Sequence, residues 1–171
     1  MANVELLEPF IRKWEGGWSD HPADRGGKTM CGVTLATWQV YCRNHGRVGT
    51  AENLRSITQE EWSDILKSMY WDRILGDRIN SQPVANIWCD WVWASGSYGI
   101  TNVQRILCVK VDGIVGMKTL NACNRQNPKE LFLAIQRERV AFVDRVIKAH
   151  PEQERHRRGW LNRINDFKYE G

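Results

Sequence analysis

From Leu6 to Phe167 the apolar residues return every three or four positions, and no convincing apolar–polar alternation replaces that spacing anywhere. A period near 3.6 lays one stripe of side chains along one face of a helix, whereas period two would mark a half-buried strand. The fold class expected is therefore all-α. Asn3 can cap a first helix carrying Leu6, Leu7, Phe10, Ile11 and Trp14, which ends at Gly16-Gly17 and leaves Glu15 in its last turn. Thr34 can cap a second, with Leu35, Trp38 and Tyr41 on one face and Gly46 as its stop. Thr58 and Glu61 form a capping box ahead of Trp62, Ile65, Leu66 and Met69. Pro83 to Ser95 reads as a central helix, apolar on most sides. Gly96 and Gly99 mark a turn and the expected boundary between two parts. Beyond it lie a helix with Ile100, Val103, Ile106 and Leu107, a turn from Val111 to Gly116, and a short helix from Lys118 to Asn124. Asn127-Pro128 opens the longest helix, which Pro151 ends, and a last one carries Trp160, Leu161, Ile164 and Phe167.

Chemistry concentrates in WEGGWSDHPADRGGKTMCGVT, Trp14 to Thr34. Glu15 stands before two glycines and between Trp14 and Trp18, with Asp24 and Thr29 following at E-x8-D-x4-T spacing. A carboxyl beside aromatic rings is poorly hydrated, which favours its protonated form and suits it to protonate a leaving oxygen. A second carboxyl a short loop away can hold or activate water, as glycoside hydrolysis requires. The glycines allow a sharp bend and close approach of a bulky polymer. The plainer reading is a surface loop at a helix end, with Glu15 solvated and Asp24 shaping a Pro22-Ala23-Asp24 turn.

The same run resembles the signature of the lysozyme-like muramidases of glycoside hydrolase family 108. The likeness continues through Tyr70 to Ile79, Asp90 to Gly96, and Leu107 to Leu120. The second half resembles the predicted peptidoglycan-binding domain that follows the catalytic part in that family. The resemblance implies a lysozyme-like helical domain over residues 1–96, packed against a smaller helical, peptidoglycan-binding-like part over 97–171. It implies Glu15 as general acid. Asp24 and Thr29 would hold the attacking water, as in phage-type lysozymes, with Asp20 the competing second carboxyl. Trp18 stands where the family usually has Tyr and keeps a flat ring for sugar stacking. Asp20-His21, Cys31 and Ala94 depart from the usual Asn-Asp, Tyr and Asn. Asp90 either lines the sugar cleft or is a buried carboxylate awaiting an arginine. Asp112, Gly113, Gly116 and Thr119 match an element of peptidoglycan-binding domains that reads physically as a turn.

Composition narrows the remaining classes. The net charge of +4 suits a polyanionic wall as well as nucleic acid, but no nucleic-acid motif, P-loop or zinc spacing accompanies it. Glu154 to Trp160, the one dense basic run, reads as a solvated helix face. Five cysteines without CxxC pairing argue against a disulfide framework or a metal site, and Cys89 and Cys108 are expected in the core. Nine tryptophans mildly favour a sugar-binding protein. No metal or organic cofactor is implied, and peptidoglycan glycan strands are the expected partner. The N-terminus reads as neither signal peptide nor membrane span, so action on the wall would follow release through a holin, a secretion system or lysis.

The leading expectation is hydrolysis of the glycan strand by an endolysin-like N-acetylmuramidase. A lytic transglycosylase needs one Glu and no water-holding carboxylate, because the sugar's own hydroxyl attacks. A wall-binding or secretion-assisting protein with a decayed site is the rival outside enzymology. Inverting and retaining geometries stay open, since sequence carries no carboxyl–carboxyl distance.

Overall fold

The structure, a computed structural model, describes residues 1–20 and 27–170. The chain is largely helical and divides into two units, Glu5–Met69 and Met1–Val4 with Tyr70–Gly171.

The first unit opens on helix α1, Glu8–Trp14, with Pro9 in its first turn. A separate 3-10 turn, Val4–Leu6, precedes it, so the expected single helix from Asn3 is interrupted. Pro9 lacks an N–H and prefers the first turn, which sets the α-helical start there. After α1 come three two-residue strands that the apolar spacing did not announce: β1 Trp18–Ser19, β2 Thr29–Met30 and β3 Val33–Thr34. They form an antiparallel sheet in which Trp18 faces Met30, Ser19 faces Thr29, and Met30 faces Val33. Two residues are too few for alternation to register in a sequence. Helix α2, Leu35–Asn44, begins where expected, with the Thr37 N–H donating to Thr34 Oγ1 at 3.1 Å. Gly46 follows its end at φ +68°, a left-handed turn that suits glycine. Helix α3 is Ala51–Arg55, and α4, Gln59–Leu66, carries the Thr58–Glu61 capping box. Trp62, Ile65 and Leu66 of α4 are buried.

The second unit is built on α5, Gln82–Ser95, whose residues from Val84 to Val92 are buried apart from Asn86. Helices α6 (Ser97–Ile106) and α8 (Pro128–Ala149) pack on α5, α9 (Arg157–Asp166) packs on α8, and α7 is Met117–Arg125. Asn127 caps α8 by accepting the Lys129 and Glu130 N–H groups. Gly96, at φ +58°, makes the turn between α5 and α6. Gly99 does not. It lies inside α6 and faces α5 so closely that a Cβ would sit 2.7 Å from Val92 N, while its carbonyl accepts the Trp88 indole N–H. Close helix packing, rather than turn geometry, requires that glycine.

One further expectation is corrected. Cys108 is exposed, with φ +53°, because it follows the end of α6 rather than lying within it. Trp38, Trp62, Trp71, Trp88 and Trp91 are core residues, so most of the tryptophan excess fills the interior. The Asp112 turn is held by Gln104, whose Oε1 accepts the Asp112 and Gly113 N–H groups and whose Nε2 donates to Asp112 Oδ1. That hydrogen bond, with the Ile114 N–H, holds the Asp112 carboxyl below its ordinary range.

Candidate active site

Glu15 is the residue at which α1 stops. Its N–H still donates to the Ile11 carbonyl at 3.0 Å, but its own φ and ψ, −96° and 136°, turn the chain out of the helix. The side chain is half-buried. A Cβ added at Gly16 or Gly17 would meet no described atom within 4 Å, so those glycines border open space.

The hairpin between β2 and β3 closes on Glu15. Its two central residues, Cys31 at φ +49° and Gly32 at φ +81°, are both left-handed, the arrangement of a type I′ turn. A Cβ built on Gly32 would lie 2.6 Å from both Cδ and Oε2 of Glu15. Real Cβ atoms do not approach so closely, so a Cβ here would push the Glu15 side chain aside, while the φ of +81° already favours glycine. Gly32 had no expected role in the motif, since Cys-Gly is not one of the pairs that announce a two-residue hairpin.

Two contacts secure this tip. The Trp62 indole N–H donates to the Cys31 carbonyl at 2.9 Å, and the Cys31 N–H donates to the Gly17 carbonyl at 3.3 Å. The Arg12 guanidinium lies 4.0 Å from the Trp62 ring centroid. Among the described residues its Nε and Nη2 are buried with no hydrogen-bond partner, and the Trp62 ring lies over the cation.

A non-glycine residue in the left-handed region costs about 1–2 kcal/mol, less for Asn. Cys31→Asn, which installs the Asn-Gly pair favoured in such turns, is therefore expected to stabilise the protein by up to ~1 kcal/mol. For a chain of this size that is a rise of about 2–4 °C in melting temperature. An unchanged or lower calorimetric melting temperature would contradict it.

The other expected site residues are distributed as follows. Thr29 lies half-buried on β2 opposite both Ser19 and Thr34. Trp18 is on β1 rather than in a loop, half-buried, with the Arg55 guanidinium 4.2 Å from its ring centroid. Asp20 is exposed just beyond β1. Asp24 lies outside the described residues.

Asp90 is 0% exposed and belongs to the second unit's interior. Arg139 Nη2 donates to its Oδ2 at 2.9 Å and Arg163 Nη2 to its Oδ1 at 2.6 Å. Arg139 also donates to the Ile87 carbonyl. Burial lowers the Arg139 pKa, and the Asp90 charge opposes that shift. The carboxylate is thus the arginine-partnered one, and a sugar would have to displace an arginine to reach it. A cavity of about 370 Å³ beside this cluster has Trp91, Tyr98, Phe142 and Trp160 in its walls, with none of the expected catalytic residues. Among the described residues no His, Cys, Asp or Glu group is placed to hold a metal ion.

A helix-end glutamate enclosed by a short hairpin, in a largely helical chain, fits the glycoside-hydrolase class. Residues 9–96 match the family described as Glycosyl hydrolase 108, and residues 98–165 the one described as "Predicted Peptidoglycan domain". The chain belongs to glycosyl hydrolase family 108, and its fold is the largely helical, lysozyme-like one. The solved structure of Brucella abortus SagA is similar, at 27% identity and a TM-score of 0.82 over 95% of this chain and 89% of that one. No curated protein sequence matches the chain.

Proposed function

We propose that this glycoside hydrolase is an N-acetylmuramidase, hydrolysing the peptidoglycan glycan strand with Glu15 as general acid. The observation that carries the reading is the enclosure of the Glu15 carboxyl, half-buried at the end of α1 and in contact with Gly32. A proton donor must be held in one orientation toward the glycosidic oxygen, and the turn at Gly32 bounds the space open to this carboxyl. Asp24 and Thr29 take the water-holding role, with Thr29 on the hairpin strand that leads into the turn. Trp18 and Asp20 are assigned to sugar contact. The arginine-bound Asp90 is left to architecture. Residues 1–96 form the catalytic part and 97–171 the wall-binding part, the latter supported by the peptidoglycan-domain match.

Action on the wall places the working site outside the cytoplasmic membrane, reached through a holin, a secretion system or lysis. No helix among the described residues is long and apolar enough to cross a membrane.

Digestion of purified peptidoglycan followed by mass spectrometry tests the reaction. Hydrolysis adds one water per cut and leaves a reducing N-acetylmuramic acid end. A lytic transglycosylase would leave an anhydro end, and no fragments at all would favour a decayed site. In the same assay Asp24→Asn is expected to cut turnover by about 10²-fold with unchanged melting, because Asn forms turns as Asp does but is no base. Near-parental turnover by a folded Asp24→Asn protein would move the water-holding role to Asp20 or support the transglycosylase.

A further inference from the structure

We infer that Trp62 is a positioning residue for Glu15, acting through the hairpin tip; the inference rests on Glu15 being the acid. The geometry forms one continuous chain of contacts within the unit Glu5–Met69. Trp62, fixed on α4 and 1% exposed, donates its indole N–H to the Cys31 carbonyl. Cys31 and the next residue, Gly32, hold left-handed backbone, and Gly32 lies directly against the Glu15 carboxyl. A turn with a non-glycine residue in that region persists only where its surroundings over-determine it. The Trp62 hydrogen bond reaches the tip from outside the hairpin and its adjoining Gly17 segment.

Arg12 completes the lock from α1. Its guanidinium covers the Trp62 ring, three residues before Glu15 on the same segment. The acid and the cation that steadies its support are thus carried together. Loss of the indole N–H leaves ring and cation in place but frees the Cys31 carbonyl, so the Gly32 surface can move away from Glu15. Trp62 touches no reacting atom in this scheme. Its effect is on how often the acid is correctly aimed.

Trp62→Phe removes the N–H while keeping an aromatic ring beside Arg12 and much of the buried volume. On a soluble glycan substrate the variant is expected to lose kcat by about ten-fold or more while KM stays within about two-fold, the pattern of an interaction realised in the transition state. Combined with Glu15→Gln, whose residual cutting is read by mass spectrometry, Trp62→Phe should cause no further loss, since it acts only through the missing acid. A folded Trp62→Phe with kcat within about two-fold of the parent would overturn the inference, and so would an equal loss in both backgrounds. If Trp62→Phe does not fold, Gly32→Ala decides by the same two measurements, because its methyl presses on the carboxyl directly. Parental kcat in folded Gly32→Ala would then overturn it. Near-parental cleavage by Glu15→Gln alone would instead remove Glu15 from the acid role, an outcome separate from either.

Discussion

Glu15→Gln is expected to lower wall cleavage by about 10²–10⁴-fold, the usual contribution of a positioned general acid, with folding and wall retention unchanged. Gln nearly matches Glu in shape, and its amide still fits against Gly32, whose missing Cβ provides the space. What it cannot do is transfer a proton to the glycosidic oxygen as the bond breaks. The loss should appear in kcat with little change in KM, because the residues proposed for sugar contact, Trp18 and Asp20, are unchanged. The measurement is release of reducing ends from purified walls, with melting curves and a wall pull-down run on the same protein. Cleavage within a few-fold of the parent would transfer the acid role away from Glu15.

The second large effect concerns stability and leaves the chemistry untouched. Asp90→Asn removes the carboxylate that both Arg139 and Arg163 engage, at a position with no solvent access. Arg139 is itself buried, its Nε lacks a hydrogen-bond partner among the described residues, and the Asn left behind cannot offset its charge. Breaking a buried pair by deleting one partner costs about 3–5 kcal/mol, chiefly because a charge remains buried without compensation. That corresponds to a fall of about 6–20 °C in melting temperature for a domain of this size. Calorimetry provides the check, and added salt should restore little, since screening hardly reaches a buried pair. A fall under about 1 kcal/mol would mean that water or a rearranged partner takes the place of the carboxylate.

These two carboxyls show how unevenly a site can be read before it is folded. The helix-end place of Glu15 was legible because the information is local: an apolar stripe ends at two glycines, and the glutamate precedes them. The capping residues Thr34, Thr58 and Asn127 were legible for the same reason, since each side chain bonds a backbone N–H two or three residues ahead. Asp90 offered two readings, cleft or ion pair, because its partners stand 49 and 73 residues further along the chain. Nothing near Asp90 in the sequence distinguishes an arginine that will arrive from one that will not.

The order of residues was enough for the helical architecture, most helix starts and stops, the family, and the place of the candidate acid. All of these depend on spacing over a few residues or on one long motif. It took the folded chain to show that Gly32 is a left-handed turn residue with Glu15 lying against it, that the Trp62 indole bonds the Cys31 carbonyl, and that Arg12 covers Trp62. The same holds for Gly99 as a packing residue and for the burial of most tryptophans. One cause underlies them all. Each is a contact between segments far apart along the chain, and its partners are selected by three-dimensional packing, which leaves no period and no local spacing for a sequence to display.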